Sequence, residues 1–376
     1  MKATVSEIAE RNQAFPAEVR HPGQFRLTRP TRTDAEIVLG HGWSLYCLDV
    51  PGDRAIFVEL PENTDLSTAP FVYGAQFHGA VRAATLPLGI LPDLAREVEE
   101  APNVGLLMST GRCGSTLASR VFTQIPGVWS LSEPDWFTNL AFARFDLADA
   151  QRDSLIAACT RLTCRPPEGM QVDAIVLKPR SEMMIQAAAY VDVLKGLHAV
   201  FLYRDCFGYV NSLYRFAQRV QGVKDPAPGS GPWEIGRQLA TINAPAKVLA
   251  EYFGNVEDIQ LVDLMALGWA LRMRAYLEAR SGGMSVAPLH YDDLTSDKRL
   301  QTGVLLESCG LDARHLEIAM KGFDRDAHSG SAGENAIAAE PISDAQRARV
   351  AELIARWGMS DYVTDRLPPV GRQGTQ

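Results

Sequence analysis

The stretch NVGLLMSTGRCGSTLASRVF, Asn103 to Phe122, decides the fold. Val104 to Met108 is a short apolar run of strand length. Ser109 to Gly114 is a tight turn of small residues that also carries Arg112. From Ser115 the pattern turns helical, with Leu117, Val121, Phe122 and Ile125 recurring at helix spacing. Strand, small-residue loop and helix together aim backbone N–H groups and a helix N-terminus at an anion. The loop departs from the nucleoside-triphosphate pattern G-x-x-x-x-G-K-[ST]. With the second glycine set on Gly114, Ser109 stands at the first glycine, Ser115 stands at the lysine, and only Thr116 agrees. The cation comes instead from Arg112, two residues before Gly114. Taken alone, such a loop also fits an ordinary strand-to-helix turn.

Around this stretch the chain reads as an ordinary soluble protein. It has 376 residues, 46% hydrophobic and 22% charged, enough for one large or two modest domains. The net charge of −8 and the lack of a long basic block argue against a nucleic-acid partner. The N-terminus MKATVSEIAERNQAF lacks the apolar core of a signal peptide, and no apolar run approaches the ~20 residues of a membrane span. The six cysteines are scattered without a C-x-x-C pair or a nearby histidine cluster. Reduced thiols in a cytoplasmic protein without a metal site are therefore expected.

The periodicity predicts an α/β fold, a parallel sheet flanked by helices, preceded by a β-containing N-terminal region. The boundary falls near residue 100, giving regions 1–100 and 101–376. In the first region, Trp43–Leu48 and Ala55–Val58 read as a hairpin about the turn Pro51-Gly52-Asp53-Arg54, and Phe71–Leu86 reads as a helix. In the second, strands are expected at Val104–Met108, Val128–Leu131, Ala174–Leu177, Ala199–Tyr203 and Ser285–Leu289. Helices are expected between them, including Trp136–Cys164, Glu182–Leu194, Phe207–Val220, Gly236–Phe253 and Asp258–Arg280. Gln221–Trp233 reads as a Pro/Gly-rich insertion, Gly310 as a helix-ending glycine, and Ser343 to Gln346 as a capping box. Alternating strands and helices form parallel sheets, which bind ligands at the C-terminal strand ends. Those ends carry Arg112, Glu133, Lys178, Arg204 and Tyr291, so four of five finish in a charged group.

Two motifs now resemble the sulfotransferases that use PAPS, 3′-phosphoadenosine 5′-phosphosulfate. Thr110-Gly111-Arg112-Cys113-Gly114-Ser115-Thr116 is similar to that family's 5′-phosphosulfate loop. Tyr203-Arg204-Asp205 followed by Ser212 is similar to its 3′-phosphate motif, an arginine at a strand end and a serine eight positions on. The resemblance covers about residues 103 to 330. It implies a P-loop sulfotransferase fold with PAPS as co-substrate and no metal. It implies that Arg112, Cys113, Gly114, Ser115 and Thr116 hold the 5′ group, and that Arg204 and Ser212, with Arg215 one turn on, hold the 3′-phosphate. Tyr291 in His290-Tyr291-Asp292-Asp293-Leu294 resembles the family's Tyr-Glu-Asp-Leu element near the nucleotide, with Asp in place of Glu. The loop Asp326–Ser331 resembles the segment that closes over the 3′-phosphate.

Sulfuryl transfer needs a base for the acceptor's proton and cations for the leaving phosphate. No histidine lies between His78 and His198. Glu133, at the tip of the strand beside the loop, resembles the glutamate base of tyrosylprotein and some carbohydrate sulfotransferases. Lys178 resembles a lysine of the same branch that stabilises the bridging oxygen. Catalysis is thus assigned to Glu133, Lys178 and Arg112, with His290 and His328 as alternative bases and Arg180 and Ser181 as contacts to acceptor or donor. Trp269 reads as core and Cys113 as a small turn residue. Two other classes fit the loop: an ATP-dependent kinase, opposed by the missing lysine, and a non-catalytic nucleotide-binding protein. A small-molecule, carbohydrate or peptide acceptor, through hydroxyl or amine, is left open, as is the oligomeric state.

Overall fold

The computed structural model describes residues 1–62, 64–101, 103–221, 237, 242–324, 339–363 and 366–368. The expected insertion at 222–233, the loop Asp326–Ser331 with His328, and the tail from 369 lie outside the described residues. Two five-stranded sheets carry the fold.

The first sheet is antiparallel, in the order β2-β1-β5-β4-β3. Its strands are β1 (Lys2–Arg11), β2 (Phe25–Asp34), β3 (Trp43–Asp49), β4 (Arg54–Glu59) and β5 (Arg82–Leu86). The β3–β4 hairpin is the one the turn residues predict. Two further strands precede it, and the expected helix Phe71–Leu86 is instead a short helix α1 (Val72–Gly79) followed by β5. The correction has a physical cause. Arg82–Leu86 pairs with β1 on one side and β4 on the other, and that double ladder outweighs the helix propensity of its two alanines.

The second sheet is wholly parallel, in the order β10-β9-β6-β8-β7. It comprises β6 (Val104–Ser109), β7 (Val128–Ser132), β8 (Ala174–Lys178), β9 (His198–Tyr203) and β10 (Ala287–His290). The strands are apolar runs because helices cover both faces; all five residues of β8 are buried. The last strand starts two residues later than expected. Helix α2 (Leu91–Arg96) leads into the sheet, and α3 (Ser115–Phe122) follows the loop. The expected single helix Trp136–Cys164 is two, α4 (Trp136–Phe142) and α5 (Asp149–Thr163), parted by a turn in which Asp146 N–H bonds the Ala143 carbonyl. The expected helix Glu182–Leu194 opens as a 3₁₀ turn, Ser181–Gln186, before α6 (Ala187–Val193). Then come α7 (Cys206–Gln221), α8 (Ala246–Phe253) and α9 (Leu261–Ser281). Further on are α10 (Tyr291–Ser296), α11 (Lys298–Ser308), α12 (Leu316–Met320) and α13 (Asp344–Arg356). Gly310 ends α11 at φ 70° with paired bonds from Gly310 and Leu311 back to Glu307 and Leu306, as its sequence position implies. The Ser343 capping box opens α13.

The antiparallel sheet packs on α4 and α5, where Leu48 N–H donates to Asn139 Oδ1 at 2.9 Å. One continuous buried cluster runs from Ala3 and Trp43 through Trp136 to Phe201 and Trp269. Among the described residues no helix is long and apolar enough to cross a membrane.

Candidate functional site

The strand order fixes where a ligand belongs. From β6 the chain moves through α3 toward β7, whereas from β9 it moves toward β10 on the opposite side. Adjacent strands whose connections depart in opposite directions leave a crevice at their carboxyl ends. That crevice lies between β6 and β9, so the loop at 109–114 and the Arg204 turn meet there. Thr110 N–H donates to the Leu202 carbonyl at 3.0 Å, fastening the two turns.

The loop is wound through positive φ at three positions, Gly111 (83°), Arg112 (53°) and Gly114 (79°). Gly114 must lack a side chain, since a Cβ there would lie 3.2 Å from the Tyr291 ring. Gly111 is as closely fitted, with Ser181 Oγ 2.8 Å from where a Cβ would sit. Ser115 opens α3 after Gly114, and no side chain caps that end, which leaves a helix N-terminus of the kind that binds anions at the loop. Cys113 is fully buried with its thiol against the Leu202 carbonyl, and burial raises its pKa. Thr116 is half-buried beside Ser115.

The two motifs that the sequence holds one hundred positions apart converge: Arg112 Nε donates to Ser212 Oγ at 3.1 Å. Arg112 also lies over Phe216, one turn beyond Ser212 on α7, at 5.0 Å. Arg204 lies over the Tyr291 ring at 4.4 Å, and its NH1 reaches the Arg112 carbonyl at 3.5 Å. Trp269, buried as expected, donates Nε1–H to the Arg204 carbonyl at 2.8 Å. Two guanidinium groups thus share one crevice. Burial, with Arg204 adding to it and Tyr209 opposing it, pulls the Arg112 pKa below its ordinary value. Among the described residues the buried Nε atoms of Arg204 and Arg215 have no hydrogen-bond partner.

On the other side of β6 the parallel register aligns Ser132 of β7 with Lys178 of β8. The next residue, Glu133, takes a left-handed φ of 61°, and its N–H donates to the Lys178 carbonyl at 2.6 Å. The turn brings the carboxylate onto the lysine, and Lys178 Nζ donates to Glu133 Oε1. The side chains are 3% and 15% exposed, so the pair is shielded. Two residues on, the pattern repeats: Arg180 grips Asp135 with bonds of 2.6 and 3.1 Å. Glu133-Pro134-Asp135 and Lys178-Pro179-Arg180 are therefore complementary tripeptides at neighbouring strand ends. Arg180 Nε is also 3.8 Å from Glu133 Oε2. Burial by itself raises the Glu133 pKa, but Lys178 and Arg180 outweigh it and hold the carboxyl below its ordinary value. Asp135, more deeply enclosed, is pushed up by burial despite Arg180.

Sequence reasoning missed what the N-terminal region adds. Arg180 packs over Tyr73 at 4.0 Å and donates to the Ala17 carbonyl at 2.8 Å. Arg20 N–H donates to Asp135 Oδ2 at 2.9 Å, and Lys178 Nζ sits 5.6 Å from the Phe71 ring. Phe71 and Tyr73 thus stack their rings beside the Lys178 and Arg180 side chains. The only sequence signal for this network was the mirrored charge–Pro–charge pattern. His290 is buried and bonded to the Asp292 N–H and Arg366, away from Glu133's partners. Among the described residues no three His, Cys, Asp or Glu side chains converge as a metal-ligand group.

The chain matches no family profile and no curated protein. Among solved structures it is similar to a sulfotransferase domain from the curacin biosynthetic pathway, at TM-score 0.38 and 10% identity, covering 68% of this chain and 98% of that one. It is also similar to a mouse sulfotransferase complexed with PAP, at TM-score 0.37 and 13% identity, covering 72% and 88%. Neither likeness is close enough to fix the fold, which rests on the strand order described above.

Proposed function

We propose that this protein is a PAPS-dependent sulfotransferase that moves a sulfuryl group to an acceptor hydroxyl or amine. The observation that carries the reading is the meeting of Arg112 with Ser212 beneath Arg204, which joins the two phosphate motifs in one crevice. A nucleotide with phosphates at two positions fits these residues. Arg204 Nε, paired with Asp205 only at 3.8 Å and without a hydrogen bond among the described residues, can bind an anion, and the uncapped start of α3 offers a second anion site beside it. ATP fits less well: Ser115 stands where a lysine would reach its terminal phosphates, and Arg204 with Ser212 would have no 3′-phosphate to bind.

In this reading Arg204 and Ser212 bind the 3′-phosphate, while Arg112, the loop amides, Ser115 and Thr116 bind the 5′ group. Tyr291 supports Arg204 from below. Because Glu133 Oε1 is occupied by Lys178, Oε2 is the atom that takes the proton from an acceptor hydroxyl as its oxygen bonds to sulfur. Arg112 and Lys178 hold the charge that collects on the 5′-phosphate oxygen when the S–O bond breaks. As Lys178 turns toward that oxygen, its hold on Glu133 weakens and the carboxylate becomes a stronger base. The products are a sulfated acceptor and PAP, the desulfated nucleotide. The acceptor approaches from the Phe71 side, since the nucleotide motifs occupy the β6–β9 side.

Calorimetric titration with PAP and with ATP tests the reading. Wild type is expected to bind PAP more tightly than ATP. Arg204→Ala should weaken PAP binding about a hundredfold, as loss of a charged phosphate clamp requires. ATP binding as tight as PAP binding would overturn the assignment and redirect the search to phosphoryl transfer.

A further inference from the structure

Behind the anion loop lies a buried arginine that no part of this mechanism uses. Arg272, in the middle of α9, is 1% exposed. Its Nε donates to the Ser181 carbonyl at 3.0 Å, and its NH1 donates to the Tyr209 hydroxyl at 2.6 Å. These two acceptors come from different parts of the fold: Ser181 begins the turn after β8, and Tyr209 is on α7, three residues before Ser212. Both also touch the loop. A Cβ on Gly111 would lie 2.8 Å from Ser181 Oγ, 3.2 Å from Ser181 Cβ and 3.6 Å from the Tyr209 ring. Ser181 and Tyr209 therefore form the floor on which Gly111 is seated, and Arg272 bolts the halves of that floor together. Glu182, buried next to Ser181, accepts from Ser181 Oγ at 3.3 Å, and burial raises its pKa while Arg272 opposes that rise.

A mid-helix arginine with this burial is costly unless every bond it makes matters. Arg112 stands at φ 53°, a left-handed conformation that a residue with a side chain keeps only where the surroundings hold it, while Gly111 beside it takes φ 83° without strain. We infer that Arg272 is a positioning residue: by joining Ser181 to Tyr209 it keeps the loop 109–114 in its wound, anion-ready form before any ligand arrives. It never touches the ligand. Its effect is on the ordering cost of binding, which a pre-wound loop avoids.

This inference rests on the proposed nucleotide reading for its ligand, so two readouts are needed. The first is PAP titration of wild type, Arg272→Lys and Tyr209→Phe. Arg272→Lys should raise the Kd about tenfold and Tyr209→Phe about threefold, with binding stoichiometry unchanged, as expected from loss of hydrogen bonds to a charged group. An arginine that only supported folding would lower stoichiometry and melting temperature but leave the Kd of the folded fraction at the wild-type value, and that outcome overturns the inference. If Arg272→Lys does not fold, Tyr209→Phe decides, since it removes one hydroxyl from an otherwise intact floor. The second readout is amide hydrogen exchange of 109–114 in ligand-free protein, which does not depend on PAP. Faster exchange there in either variant, with the β6 and β9 amides unchanged, supports positioning; unchanged exchange overturns it. Failure of wild type to bind PAP would remove the nucleotide reading while leaving the exchange result to decide the role of Arg272.

Discussion

The two sides of the central strand β6 solve opposite electrostatic problems. Toward β9, Arg112 and Arg204 share a crevice, and among the described residues Arg204 meets the Asp205 carboxylate, 3.8 Å away, and the Tyr291 ring. Toward β7, each cation already has its carboxylate, Lys178 with Glu133 and Arg180 with Asp135. The first side is incomplete and calls for anions from outside. The second is self-neutralised, and a ligand arriving there must rearrange charges rather than supply them. In the proposed reading, binding and chemistry are separated along one sheet edge, so substitutions on the two sides should have different signatures.

The largest expected effect lies on the Glu133 side. Glu133→Gln should reduce turnover about a thousandfold, the scale of a lost general base, with PAP affinity within about twofold of wild type. A parallel loss of PAP affinity would show that the two sides are not separate. The opposite signature is expected at Gly208, in the first turn of α7. A Cβ there would lie 2.5 Å from both Arg204 Nε and Asp205 Oδ2, so Gly208→Ala should swing the guanidinium out of place. PAP binding should weaken about tenfold, whereas melting temperature should hold or rise, because alanine favours a helix. Unchanged binding would mean that Arg204 does not act from the position described here.

The smallest effect is on stability against pH. Glu133 has a folded-state pKa below its ordinary 4.5, so the unfolded chain binds its proton more readily. The stabilisation is complete above 4.5 and is lost as pH falls through the lower folded value. Melting scans from neutral to acidic pH should therefore show a downward limb in wild type that is shallower in Glu133→Gln. Equal limbs would mean that the Lys178 pairing contributes nothing to the folded state.

How much of this was legible in the sequence depended on burial. The parallel strands could be read directly because helices cover them on both faces and leave unbroken apolar runs such as Ala174–Leu177. β1 and β2 could not. Phe25-Arg-Leu-Thr-Arg-Pro-Thr-Arg-Thr-Asp34 is mostly exposed, and only its cross-strand partners on β1 make it a strand. The same division holds at the site. Arg112, Glu133, Lys178 and Arg204 stand at strand tips, where position alone marks them. Arg20, Tyr73 and Arg272 act through contacts that span sixty to more than a hundred positions of chain, and nothing local distinguishes them from core residues. Trp269 is an intermediate case: a core residue by pattern, and also the donor that holds the Arg204 carbonyl.

The bonds from Ala17 to Arg180 and from Arg20 to Asp135 also matter to anyone wishing to transplant the proposed reaction centre. A fragment cut at the composition boundary near residue 100 would keep the whole phosphate crevice. It would also strip the Ala17 carbonyl and the Tyr73 ring from Arg180 and the Arg20 N–H from Asp135, leaving that buried ion pair with fewer bonds. On the proposed reading, the portable unit for nucleotide capture is shorter than the portable unit for transfer, and the difference between them is the N-terminal sheet with the segment from Ala17 to Arg20.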